Sequence, residues 1–130
     1  MAKKKDFGDR NRSLSKKLLD EKTYYDWVVT TAFYSTIHYV EDYILPTKIG
    51  NTECNCIAQV KKAYSMRGRH EARERLVFDQ LGTKVGARYK WLDDRSRNSR
   101  YETFKLQASE AIKAKEYLDF IFKELYEAKS

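Results

Sequence analysis

Between Thr23 and Leu45 the chain reads TYYDWVVTTAFYSTIHYVEDYIL, without a glycine or a proline, and it is apolar on nearly every side of a helix. Tyr24, Trp27, Val28, Ala32, Phe33, Ile37, Val40 and Ile44 spread around the axis instead of keeping to one stripe. A helix of that kind in water needs cover from neighbours or from a second subunit, so it belongs at the centre of the fold. Asp26, His38, Glu41 and Asp42 make it a poor membrane span. Thr23 reads as the N-cap, with Asp26 completing a capping-box-like pair, and Pro46 and Gly50 mark the end.

The rest of the chain supplies the cover. One proline and five glycines in 130 residues argue for long helices and against an all-β protein with many turns. That length suits one domain with a core that needs no disulfide or metal. Residues 1–8 read as a loose basic tail, and residues 9–130 as a single domain. A first helix is expected over 9–21 with Leu14, Leu18 and Leu19 inward. PTKIGNTECNC reads as a loop and IAQVKKAYSM as a short helix. RHEARERLVFDQLG reads as a helix with Leu76, Val77 and Leu81 inward and Gly82 as its stop. Val85, Tyr89 and Leu92 define another. In the last, Phe104, Ala108, Ala111, Ala114, Leu118, Ile121 and Leu125 step by three or four residues. The expected fold is all-α, an up-and-down bundle of four or five main helices.

The net charge of +7 is uneven. Residues 1–22 carry eight Lys or Arg against four acids, and residues 84–100 carry six against two. Uneven positive charge suits a polyanion, though many proteins that bind no nucleic acid also have it. The second concentration holds RSRNSRYE, residues 95–102. Arg95, Arg97 and Arg100 could hold phosphate oxygens bidentately. Asn98 could orient a phosphate or hydroxyl, and Tyr101 could stack on a base. The plainer reading is a helix C-terminus, where basic side chains complement the macrodipole.

Two histidines carry the remaining chemistry. Tyr34 and His38, four residues apart, share a helix face, as an acid–base pair or as a satisfied core histidine. His70 lies in RGRHEARER, where Arg69 with Arg73 and His70 with Glu74 share faces. That is either a phosphate-contacting strip or a solvated face with internal ion pairs. Cys54 and Cys56 are too close for an unstrained disulfide, and with the two histidines they lack the spacing of a zinc module. No metal or cofactor site is expected. Free thiols and the lack of an apolar run after the basic N-terminus fit a cytoplasmic setting.

Taken in order, these pieces resemble the HEPN domains of prokaryotes. TTAFYSTIHYVED is similar to that family's long second helix through Ala32, Phe33, Tyr34, Ser35 and His38. RHEARERLVFDQL resembles its next helix, which commonly opens with a histidine, here His70. YKWLDDRSRNSRYE and SEAIKAKEYLDFIFKEL resemble its Arg–aromatic segment and its Ala-rich closing helix. The resemblance implies a helical bundle, often a homodimer with its cleft on the two-fold axis. Active members are metal-independent ribonucleases whose motif is an Arg, often followed by a polar residue, with a His a few residues on. Arg97-Asn98 matches the first half, but no His follows it in this chain.

Three functions stay open on this reading. One is an interaction module for RNA or nucleotide, or for a nucleotidyltransferase-like protein, in a defence or toxin–antitoxin setting that the resemblance alone implies. Another is a divergent ribonuclease in which Arg97 works with His38. The third is a purely structural dimerisation domain.

Overall fold

The computed structural model describes residues 3–127. The chain forms α1 (Lys3–Asp20), α2 (Tyr25–Ile44), a hairpin of β1 (Thr47–Ile49) and β2 (Thr52–Cys54), α3 (Ile57–Ala63), α4 (Arg69–Tyr101) and α5 (Ala108–Tyr126). The all-α bundle expected from the sequence is what the chain adopts. Helix α2 is central and packs against α1, α4 and α5. Val28, Val29, Ala32, Phe33 and Tyr39 are fully buried. None of the helices among the described residues is long and apolar enough to cross a membrane.

Helix α1 begins at Lys3, so most of the stretch read as a tail is helical. It meets α2 through Gly8 and Ser15, seven residues apart and therefore on one face. Ser15 Oγ donates to the Val28 carbonyl at 3.0 Å and Ser35 Oγ to the Gly8 carbonyl at 2.7 Å. Leu14, one position from Ser15, is rotated outward and exposed, against expectation. Leu18 and Leu19 are half-buried. Two small residues allow a closer approach than a leucine stripe would.

The expected Thr23 cap does not form. Tyr24 occupies the N-cap with φ 49°, and no side chain caps the helix. The loop after Pro46 contains the short antiparallel hairpin, with Lys48 opposite Glu53. Phe104 lies outside α5 and is exposed. Helix α5 starts instead from a capping box in which Gln107 and Glu110 satisfy each other's backbone N–H groups. From there the expected stripe holds, with Ala111, Ala114, Leu118, Ile121 and Leu125 all buried.

The feature that builds the site is Gly82. It has φ 87° and ψ 179°, a combination that essentially only glycine adopts. There α4 reverses, and its two arms, residues 69–81 and 83–101, run back against each other. Lys90 Nζ reaches within 3.8 Å of Glu74 Oε1. Gly86 lies so close to the Phe78 ring that a Cβ there would fall 2.5 Å from it. The sequence reading of Gly82 as a helix stop is correct, and the tightness of the reversal is new.

Candidate functional site

The reversal carries His70, at the start of the first arm, back to the far end of the second. The charges acting on its imidazole are Asp93, Arg73, Arg97 and Arg100. The loss of water around the ring pushes its pKa below the usual histidine value. The three arginines add to that, and Asp93 opposes it. Burial and the arginines thereby favour the neutral ring of His70, on an exposed surface.

The second arm is fixed to α2 by hydroxyls. Thr30 Oγ1 and Ser99 Oγ lie 3.2 Å apart in the core, and Ser99 Oγ also donates to the Ser96 carbonyl at 2.9 Å. This lock sets Arg100 beside Tyr34 of α2, its guanidinium carbon 5.7 Å from the ring centroid. The same carbon lies 5.3 Å from the Tyr101 ring, and Arg100 donates to Ser96 Oγ. Arg97 Nη2 donates to Asp93 Oδ1 at 3.1 Å. Asp93 is buried while the Arg97 side chain is 51% exposed, so the carboxylate holds the base of a cation that faces solvent. Asn98, with Arg97, Asp94, Tyr101 and Glu102, lines a shallow depression of about 350 Å³.

His38 lies elsewhere on α2. Its ring stacks on Phe7 of α1, with centroids 5.4 Å apart. Burial lowers its pKa, Glu41 raises it, and Lys4 and Arg73 lower it further. Arg97 is not among these charges. The residue that connects the two histidines is Arg73, whose charge acts on both. Arg73 Nε donates to Glu41 Oε2 at 2.8 Å, and both side chains are largely buried. Next to it the Tyr89 hydroxyl is buried with no well-formed hydrogen bond among the described residues; burial drives its pKa upward, and Arg73 lowers it through its charge and a weak contact.

Of the residues singled out in the sequence, Arg97, Arg100, Asn98, Tyr101, Tyr34 and His70 come together on one region of the molecule. Arg95 does not join them. It faces α5, where it pairs with Glu110 at 3.1 Å. Asp93 and Ser96 were missed as site residues, and Arg73 was raised only as part of a strip shared with Arg69. The signal for Arg73 was its place one turn after His70, but only the fold-back at Gly82 gives that placement meaning. Cys54 is buried and Cys56 exposed, both as free thiols.

The class that fold and site define is an all-helical bundle bearing an exposed surface of arginine, histidine and tyrosine. Against known proteins, the chain matches no family model, no curated protein and no solved structure.

Proposed function

We propose that this chain is a HEPN-like interaction domain that binds single-stranded RNA or a nucleotide through His70, Arg97, Asn98, Arg100, Tyr101 and Tyr34. The observation that carries the reading is the return of His70 to Arg97 and Arg100 across the Gly82 reversal, with Arg100 over the Tyr34 ring. Guanidinium groups bind phosphate oxygens in two-pronged fashion, and exposed rings stack on bases without regard to sequence. Tyr101 is 74% exposed and open to such stacking. The cytoplasmic setting, the homodimer, a nucleotidyltransferase-like partner and a defence role follow from the resemblance and belong to the same proposal.

The test is fluorescence anisotropy with labelled oligouridylate at several salt concentrations. Binding should weaken as salt rises, and Arg100→Gln should weaken it at every concentration. Binding that is absent at low salt, or indifferent to Arg100→Gln, would rule the reading out.

A second reading, a metal-independent ribonuclease, is favoured by one observation. The pKa of His70 is lowered, first by burial and then by the charges of Arg73, Arg97 and Arg100, and an unprotonated imidazole with guanidinium groups is the combination that takes a 2′-hydroxyl proton and steadies a pentavalent phosphate. This replaces His38 with His70 as the base to examine first. RNA incubated in EDTA should be cut by the wild type and left intact by Arg97→Ala and His70→Ala. Cleavage that survives His70→Ala but not His38→Ala would restore the original pairing.

A further inference from the structure

Seven cations among the described residues sit over aromatic rings: Lys5, Arg12, Arg75, Arg88, Arg95, Arg100 and Lys113. Four of them also have a carboxylate. Lys5 pairs with Asp9, Arg12 with Asp119, Arg75 with Asp79 and Arg95 with Glu110, all within 3.5 Å. For those four the ring contact belongs to a neutralised, self-contained arrangement. Among the described residues, Arg88, Arg100 and Lys113 have no carboxylate within ion-pair distance. Arg100 belongs to the site already described. Arg88, on the second arm of α4, and Lys113, on α5, stand in the seam between those two elements.

The seam is built to hold these two charges in place. Arg88 lies 3.9 Å from the Phe120 centroid and 5.4 Å from that of Tyr117. Lys113 Nζ lies 5.1 Å from the Trp91 ring and 5.4 Å from Tyr117. Trp91 and Tyr117 pack edge to face, 5.3 Å apart. Arg88 Nη1 is tied to the Lys84 carbonyl at 2.9 Å, which fixes its plane. A guanidinium stacked on a ring keeps its N–H edge free for an oxyanion, and its geometry is set before any ligand arrives. Lys84, Arg88, Trp91, Arg95 and Asn98 recur at helical spacing, so this stripe runs along α4 to the depression at Asn98.

We infer that Arg88 and Lys113 form a second phosphate-contacting surface, and that a single strand of nucleic acid runs along the second arm of α4 to engage both surfaces. This rests on the proposed ligand class but uses residues outside the proposed site. The Trp91, Tyr117 and Phe120 rings are half-buried beneath their cations, so this surface grips phosphates, and base stacking falls to the exposed Tyr101, which has Arg100 at one side. A strand must be long enough to follow the helix from Arg88 to Asn98, roughly 15 Å at 1.5 Å per residue, before it gains from the second surface.

The experiment compares oligouridylates of about 4 and about 16 nucleotides, spanning the usual site sizes of single-strand binders. The proteins are wild type, Arg88→Gln/Lys113→Gln and Arg100→Gln. Arg88→Gln/Lys113→Gln should bind the short oligomer like wild type and the long one at least tenfold more weakly. Losing two phosphate contacts should also flatten the plot of log K against log salt by about 1.4 for the long oligomer. Lys113→Gln alone, at an exposed position, and Arg88→Lys, which keeps the charge, control for loss of packing. The inference is overturned if the double variant binds the long oligomer as wild type does while Arg100→Gln does not. If the double variant weakens binding and Arg100→Gln has no effect, the seam stands and the site at His70 falls. No binding by the wild type to either oligomer defeats both.

Discussion

Arg73 Nε donates to Glu41 Oε2 at 2.8 Å and so ties the first arm of α4 to the central helix between the two histidines of the chain. Lys4 of α1 reaches the other oxygen of the same carboxylate at 3.8 Å. One largely buried acid therefore gathers cations from two neighbouring helices. Removing Arg73 leaves Glu41 with a single, longer contact. Arg73→Gln should cost about 3 kcal/mol in urea unfolding, the lower end for breaking a buried pair, because Lys4 remains. In NMR titrations both histidine pKa values should rise, since the Arg73 charge lowers each. A rise in only one would show that Arg73 does not connect them.

The histidines also set a pH dependence. Both are depressed in the folded chain, chiefly by burial. The unfolded chain then binds protons first as pH falls. Their contribution is therefore fully present above the unfolded value of about 6.5 and is lost as pH drops from there toward the folded values. Urea midpoints should decline across that window, and His38→Asn/His70→Asn should flatten the decline. An unchanged slope in the double variant would assign the effect to other groups.

Gly82→Ala should destabilise the chain by about 1–3 kcal/mol, because φ 87° with ψ 179° is hostile to any side chain. RNA binding should fall further than the loss of folded protein explains, since the reversal sets His70 against Arg97. Circular dichroism and anisotropy on one preparation separate the two effects. A stable variant with full binding would show that the site does not depend on the reversal.

Tyr89→Phe removes a buried hydroxyl that makes no well-formed hydrogen bond among the described residues, its contact with Arg73 being a weak one. An unsatisfied polar group costs about 1–3 kcal/mol, so its removal should leave stability unchanged or raise it by about 1 kcal/mol. Clear destabilisation in urea would mean that the hydroxyl is satisfied in solution, with Arg73 the nearest candidate.

The fold was legible where burial alone decides it. The breaker-free Thr23–Leu45 segment announced a central helix, and the Ala-to-Leu stripe of α5 landed in the core. Reading went astray where the determinant was contact between small residues or local dihedral choice. Gly8 and Ser15 displaced Leu14 from the interface, and Tyr24 took the cap from Thr23. The arginine motif was legible as a source of charge but not as a geometry. Helical spacing already separates Arg95 from Arg97, yet nothing short of the fold shows that one faces Glu110 and that the charge of the other acts on His70. That neighbourhood depends on a tight reversal at a glycine which, in sequence, only marks the end of a helix.

The measurement that tests the site most directly is the titration of His70 by NMR with and without a saturating short oligouridylate. A bound phosphate favours the imidazolium, so the His70 pKa should move upward while His38, stacked beneath Phe7, moves far less. If neither histidine moves when the oligomer is bound, or if His38 moves and His70 does not, then His70, Arg97 and Arg100 are not the surface that holds the ligand.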